Sequence, residues 1–301
     1  PGWRRVAEAE EARMEQLVRG GMPLLEQGLP LGDEPPPVGD LFEGRPEPKQ
    51  RSQRKPKTLS KKEKKKRKGP RGKVAVPMPE QPPEERIHNF DEVPLGYTAE
   101  MAIEEAKRCY QCKGDRAKCI PNCPVGINIP KFLDEVAEGD FQAAIRTVMA
   151  DNLLPAICGR VCPQEEQCQK ECIGAKRGDP AYIGRIERFL ADWYAQFGEK
   201  PEPRTPPEGA QKVAIVGSGP AGLTVAADLA KLDYDVTIFE ALHRPGGVLV
   251  YGIPEFRLPK RIIDREVENI KALGVKIYLN ALVGKLFTIE SLEEGHGFGA
   301  F

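Results

Sequence analysis

The sequence is short of histidine, tryptophan and long apolar runs. Only 3 of 301 residues are histidine and 2 are tryptophan, and aromatic residues make up 7%. His88, His243 and His296 stand far apart, and no nucleophile or acid–base set gathers around any of them. Hydrolysis driven by a histidine base is therefore not expected. No apolar stretch approaches the ~18–20 residues that cross a bilayer. The first residues lack the charged, apolar, small order of a secretory signal. Membrane, secreted and coiled-coil readings fall away, and a cytoplasmic location is expected. Glycine (30) and proline (29) are plentiful but follow no G-X-Y period, which removes collagen and points to long loops. Cysteine is absent outside 109–172, where all 8 are found.

Net charge is also absent, with 45 basic and 45 acidic side chains, but the balance is not local. Between Lys49 and Lys73 there are 14 Lys or Arg and one acid, Glu63, so that stretch carries +13 and the remainder −13. The run Lys61–Lys68 is dense enough for nucleic acid but lacks the interleaved aromatics of a stacking platform. A solvated tail is the expectation, docking on an acidic protein the alternative, and nucleic acid the least favoured.

The chain divides by composition. Residues 1–21 fit a short amphipathic helix (Trp3, Val6, Met14, Leu17 and Val18 on one face) stopped by Gly20-Gly21. The segment 30–85 has too few large apolar residues to offset the entropy of ordering it. Residues 1–86 are accordingly assigned to a disordered, basic, Pro-rich extension. A helical domain is expected over 87–200, with helices starting at the cap Thr98 and running to about Tyr110, then at 130–150 and 183–197. Prolines at 201, 203, 206 and 207 make 201–210 a stiff linker. From 211 to 301 strands (213–216, 235–239, 275–279) alternate with helices (220–232, 260–273), which implies a parallel α/β sheet. The fold class is α followed by α/β.

The cysteine block reads Cys109-x2-Cys112-x6-Cys119-x3-Cys123-Pro, then Cys158-x3-Cys162-Pro-x4-Cys168-x3-Cys172. A C-x2-C pair lets two thiolates from one turn reach the same cubane, and Cys-Pro steers the chain toward a second. Four-cysteine zinc sites pair two C-x2-C knuckles, and only one exists here. Secreted disulfide scaffolds spread their cysteines through a short module. Two [4Fe–4S] clusters are the expectation, with zinc and disulfides as the alternatives.

Gly217-Ser218-Gly219-Pro220-Ala221-Gly222 is a G-x-G-x-x-G that follows a strand and opens a helix. Such a turn brings pyrophosphate against the backbone and the helix N-terminus. Glu240 ends the next strand, 18 residues after Gly222, where a carboxylate accepts from a ribose diol. A dinucleotide is expected. The fingerprint alone does not separate FAD from NAD.

These motifs resemble the small subunit family of NADPH-dependent glutamate synthase, which overlaps with the large subunit of NADH-dependent ferredoxin:NADP oxidoreductase. The matching phrases are Val76-Pro-Met-Pro-Glu-Gln81, Asn89-Phe-Asp-Glu-Val93, Ala106-Lys-Arg-Cys109, Leu154-Pro-Ala-Ile-Cys-Gly-Arg-Val-Cys-Pro-Gln164 and Ile183-Gly-Arg-Ile-Glu-Arg-Phe189. The amino-terminal part of dihydropyrimidine dehydrogenase is a more distant cousin. The resemblance implies that Cys109, Cys112, Cys119 and Cys172 hold one cluster. It gives Cys123, Cys162, Cys168 and Glu187 to the other and leaves Cys158 without a ligand role. Six residues separate Cys112 from Cys119 where the family has four. The resemblance also assigns His243-Arg244-Pro-Gly246-Gly247 to an FAD site.

It further implies an iron–sulfur flavoprotein that relays electrons between NADPH, through FAD, and a partner active site. The partner would be a glutamate synthase large subunit, a ferredoxin reductase-like small subunit, or a second copy. A flavin-bifurcating oxidoreductase is the alternative within that class. A non-catalytic scaffold with a basic tail is the alternative outside it. The family inserts an NADPH domain into its FAD domain, and no second glycine fingerprint is legible after Gly222. The reading at this stage is a chain that looks truncated before that domain, with only part of its FAD sheet and no nicotinamide site.

Overall fold

The computed structural model describes residues 74–200 and 202–301. The helix expected at 1–21 and the basic run 49–73 lie outside these residues.

The helical part is built on five helices: α2 (Ala99–Lys107), α3 (Ile129–Glu138), α4 (Phe141–Met149), α5 (Pro155–Val161) and α6 (Ile183–Phe197), preceded by a single turn, α1 (Pro83–Arg86). Thr98 caps α2 as expected, accepting from the Met101 N–H at 3.3 Å. The pattern over 130–150 forms two helices rather than one. Gly139 is left-handed at φ 79° and ends α3, and Asp140 caps α4 by accepting from the Ala143 N–H at 3.0 Å. An apolar periodicity that continues across a stop signal had masked the break.

Helix α6 is the hub, packing against α2, α3, α4 and α5. Its apolar face joins Phe132, Leu133, Val136, Ile145, Val148, Ile186 and Leu190 in one core. Phe141 meets Phe189 and Trp193 edge-on at 5.0 and 5.6 Å, which closes the α4–α6 seam. Helix α5 lies closer still. A Cβ added to Gly159 would stand 2.5 Å from the Arg188 backbone nitrogen, so these two helices touch backbone to backbone.

The segment 74–98 had been split between a disordered extension and the helical domain. The structure corrects this: from Val74 onward it is a strap laid over the helices. The Ala75 N–H donates to Asp179 at 2.9 Å and the Val76 N–H to Glu105 at 2.8 Å. Glu92 takes Arg160 at 2.8 Å and Arg188 at 3.0 Å, and Asp192 takes Arg160 at 2.8 Å. Both arginines are buried, and these carboxylates offset the cost of taking their charges out of water. Sequence patterning missed the strap because it is held by polar contacts to distant residues and shows no periodicity of its own.

The α/β part has β1 (Lys212–Val216), α7 (Pro220–Lys231), β2 (Asp235–Phe239), a turn of helix α8 (Val248–Tyr251), α9 (Lys260–Lys271), β3 (Lys276–Tyr278) and β4 (Phe298–Ala300). All pairings are parallel, in the order β3-β2-β1-β4. Strand β4 was not expected, because glycines surround Phe298 and leave almost no β pattern. It forms because Phe298 packs edge-on against Phe239 at 5.7 Å while β1 has a free edge. Helix α9 packs on α5 as well as α7, and Leu154, Ala156, Ile157 and Ala191 of the helical part share a core with Leu223, Ile262 and Val267.

Gly159→Ala tests the backbone contact between α5 and α6. The added methyl has no room, and overpacking of this kind costs about 1–3 kcal/mol. Denaturant unfolding should show that loss, and an unchanged midpoint would mean the helices sit farther apart.

Candidate functional site

All eight cysteines are free, Cys168 buried and the others half-buried. They gather into two neighbouring sets. Cys109 lies within electrostatic reach of Cys112, Cys119 and Cys172. Cys168 lies within reach of Cys123, Cys162 and Glu187, and also of Cys119, which places the two sets side by side. Thiols from the loop after α2 thus meet thiols from the loop after α5, although some 50 residues separate them in sequence.

Local structure explains the convergence. Cys109 follows the end of α2, and Gln111 at φ 51° turns the chain so that its N–H faces the Cys109 sulfur at 3.4 Å. Glu105, fully buried in α2, accepts from the Tyr182 N–H at 2.8 Å and pairs with Arg108 at 2.5 Å. Arg108 then donates to the Asp179 carbonyl at 2.8 Å and the Pro180 carbonyl at 3.0 Å. This pair ties the loop after Cys172 to the helix before Cys109. Neither Glu105 nor Arg108 was singled out in the sequence, where an i, i+3 pair reads as a solvated helix face.

Burial disfavours the thiolate form of Cys109, Cys119, Cys162 and Cys168. Burial pushes Cys109 up to about 12, with the neighbouring thiols adding to the rise. Burial also raises Cys119 to about 11, assisted by Cys172 and Cys112. In the second set burial raises Cys162 to about 11, and next comes the nearby Glu187 carboxylate. Glu187 itself is buried in α6, and burial raises it to about 7 against the opposing hydrogen bond from Asn152. Spacing alone would have left Glu187 on a solvated face; the structure turns it inward toward the second set.

Among the described residues no three His, Cys, Asp or Glu groups are close enough to hold a single metal ion. A zinc tetrahedron with bonds of about 2.3 Å needs sulfurs about 3.8 Å apart. The ligands of a cubane bind separate irons and stand wider. Two sets of desolvated thiols suit a large cationic iron–sulfur core, which displaces their protons.

Cys158 also lies within reach of Glu187, Cys162 and Cys123. It is half-buried on α5, and its sulfur lies 3.6 Å from Asn152 Oδ1. The Asn152 amide donates to Glu187 Oε1 at 2.6 Å and accepts from the Leu154 N–H at 3.0 Å.

In the α/β part the glycine turn links β1 to α7 as expected. Gly217 has φ 95°, and a Cβ on Gly222 would meet the Gly217 oxygen at 2.1 Å, so neither position accepts a side chain. Pro220 and Ala221 open α7 behind Gly219. Ser218 is fully buried, and its N–H donates to Glu240 Oε2 at 2.8 Å. The Ser218 hydroxyl donates to the same oxygen and accepts from the Gly246 N–H at 3.1 Å. The Leu242 N–H donates to Glu240 Oε1 at 2.9 Å. Burial works against the Glu240 charge, but the Ser218 hydroxyl and these N–H donors outweigh it and hold the carboxyl below its usual range. Gly247, at φ 53°, approaches Gly219 so closely that a Cβ there would stand 2.9 Å from the Gly219 Cα. The turn 217–222 and the loop 240–247 therefore form one continuous backbone cradle. The Arg244 side chain, in the same loop, is half-exposed and paired with Asp264 at 2.8 Å. The Ser218 link was invisible in the sequence, where the second position of the fingerprint carries no requirement.

Comparison with known proteins agrees with this layout. Residues 86–199 match the family described as dihydropyrimidine dehydrogenase domain II, 4Fe-4S cluster. Residues 215–283 match the NAD(P)-binding Rossmann-like domain. The chain is 42% identical over 205 residues to the NAD-dependent dihydropyrimidine dehydrogenase subunit PreT of Escherichia coli K12, covering 68% of this chain and 49% of that protein. It is 36% identical over 226 residues to the glutamate synthase [NADPH] small chain of Azospirillum brasilense, covering 74% and 46%. It is also 35% identical over 201 residues to the NADP(+)-dependent formate dehydrogenase subunit beta of Moorella thermoacetica, covering 60% and 28%. The chain belongs to this family of iron–sulfur oxidoreductases, with a helical 4Fe-4S domain followed by a Rossmann-like region. It spans about half the length, or less, of these relatives. Among the described residues no helix is long and apolar enough to cross a membrane.

Ser218→Ala removes a donor to Glu240 and the acceptor for Gly246. Each buried hydrogen bond of this kind is worth about 0.5–1.5 kcal/mol, and more when it reaches a charged group. The α/β part should unfold at lower denaturant, whereas Arg244→Ala, which breaks only an exposed pair, should leave the midpoint nearly unmoved.

Proposed function

We propose that the chain is the electron-input portion of a multi-subunit oxidoreductase, relaying electrons between a flavin and two [4Fe–4S] clusters. The observation that carries this reading is the sorting of thiols from two distant loops into adjacent sets. Cys109, Cys112, Cys119 and Cys172 hold the first cluster. Cys123, Cys162, Cys168 and Glu187 hold the second, and Cys158 remains a thiol. When bound, the clusters and FAD supply one- and two-electron transfer, and the protein supplies position and environment.

The chain's own residues perform three tasks. The cradle of Gly217, Ser218, Gly219, Pro220, Ala221 and Gly222, completed by Gly246 and Gly247, takes the pyrophosphate of FAD against backbone N–H groups and the start of α7. Glu240, held ionised by Ser218 and Leu242, accepts from the adenosine ribose. Helix α6 joins the two sites, with Glu187 facing the second thiol set and Ala191 in the core shared with α7 and α9.

The far end of the relay depends on the partner subunit. A glutamate synthase-like partner, fed from NADPH, follows from the motif resemblance and the Azospirillum relative. A pyrimidine-reducing partner, fed from a nicotinamide cofactor, is favoured by the higher identity to the PreT subunit. In both readings this chain handles electrons and the partner handles the substrate.

The ligand assignment predicts opposite results from two neighbouring residues. After anaerobic reconstitution, Cys158→Ala should keep about eight irons per chain, as two cubanes require. Glu187→Ala should lose or degrade one cluster. Iron and acid-labile sulfide analysis reads both. Iron loss from Cys158→Ala together with full iron in Glu187→Ala would invert the assignment.

A further inference from the structure

Asn152 lies in the turn between α4 and α5, is 5% exposed and belongs to neither ligand set. Every polar contact it makes is internal. The Leu154 N–H can only donate, so the atom facing it at 3.0 Å is the amide oxygen, and the NH2 end must be the one on Glu187 Oε1 at 2.6 Å. The Cys158 sulfur, 3.6 Å from that same oxygen, is then a thiol that donates its proton. One amide thus accepts from Cys158 and grips Glu187 by a single carboxylate oxygen, leaving the other oxygen without this partner.

This arrangement opposes an intrinsic preference. Iron–sulfur clusters favour soft thiolate ligands over hard carboxylates. Cys158 lies within electrostatic reach of Cys123 and Cys162, two members of the second set, so a thiol is at hand where a carboxylate is used. We propose that Asn152 is the positioning residue that selects Glu187 over Cys158 as the fourth ligand of the second cluster. The proposal rests on the cluster reading above. Without Asn152, Cys158 displaces Glu187 in a redox-neutral exchange. An iron–sulfur bond replaces an iron–oxygen bond, and the Cys158 proton passes to the released carboxylate.

The test uses the full chain, reconstituted anaerobically, as wild type, Asn152→Ala, Asn152→Asp, Cys158→Ala and the Asn152→Ala/Cys158→Ala double variant. Iron content, the low-temperature electron paramagnetic resonance spectrum of the reduced protein and the midpoint potential of each cluster are measured. Asn152→Ala should retain full iron yet change the spectrum and shift the potential of one cluster only. That change should require Cys158, so the double variant should lose it or lose that cluster, and Cys158→Ala alone should match wild type. Asn152→Asp keeps an acceptor for Leu154 but repels the Glu187 carboxylate. It should reproduce the Asn152→Ala signature, and it decides the question by the same criteria where Asn152→Ala fails to fold. A spectrum and potential identical to wild type, or a change that is the same with and without Cys158, overturns the proposal. Full iron with an unaltered spectrum in Glu187→Ala overturns the ligand reading itself, a distinct result.

Discussion

Thiols drawn from two distant loops into partly buried surroundings are the constraint around which this molecule is arranged. Loops after α2 and after α5 bring sulfur atoms together away from water, where burial makes ionisation unfavourable. Helix packing supplies part of the compensation, and an iron–sulfur core supplies the rest by exchanging protons for metal. The polar supports nearby have the same purpose. Glu105 and Arg108 tie the loop after Cys172 to α2, and Asn152 settles Glu187 and Cys158 with one amide.

Helix α6 carries that constraint to the rest of the chain. It presents Glu187 to the second thiol set, Arg188 to the strap, Asp192 to Arg160 and Arg265, and Ala191 to the α/β core. A helix committed to so many neighbours cannot shift without disturbing the cluster environment. The two parts of the relay therefore share a rigid element, which suits electron transfer, where distance governs rate.

Much of this was legible in the sequence, for identifiable reasons. Cys-Pro turns and a glycine fingerprint after a strand are local requirements, and local requirements survive in sequence. The first three strands and α6 were legible because apolar period and length agree there. The strap 74–98, the break at Gly139 and strand β4 were not. The strap is held by side chains 29 to 104 residues away, such as Arg160 on Glu92. Strand β4 exists through its edge on β1 and the face of Phe239 rather than through its own residues. Glu187 shows the same limit: position on a helix does not reveal which way it faces until the neighbouring helices are placed. Asn152 was missed, and Ser218 was read only as part of the glycine turn, because a side chain that organises other side chains leaves no spacing of its own.

The central claim is that the two cysteine loops close on two cubanes. Mössbauer spectroscopy of the full chain reconstituted with iron-57, with total metal measured on the same sample, addresses it most directly. The account predicts about eight irons per chain, all in [4Fe–4S] form, with one cluster distinguishable by its non-cysteine ligand. Stoichiometric zinc in place of iron, or cysteines recovered as disulfides from anaerobically handled protein, would contradict it.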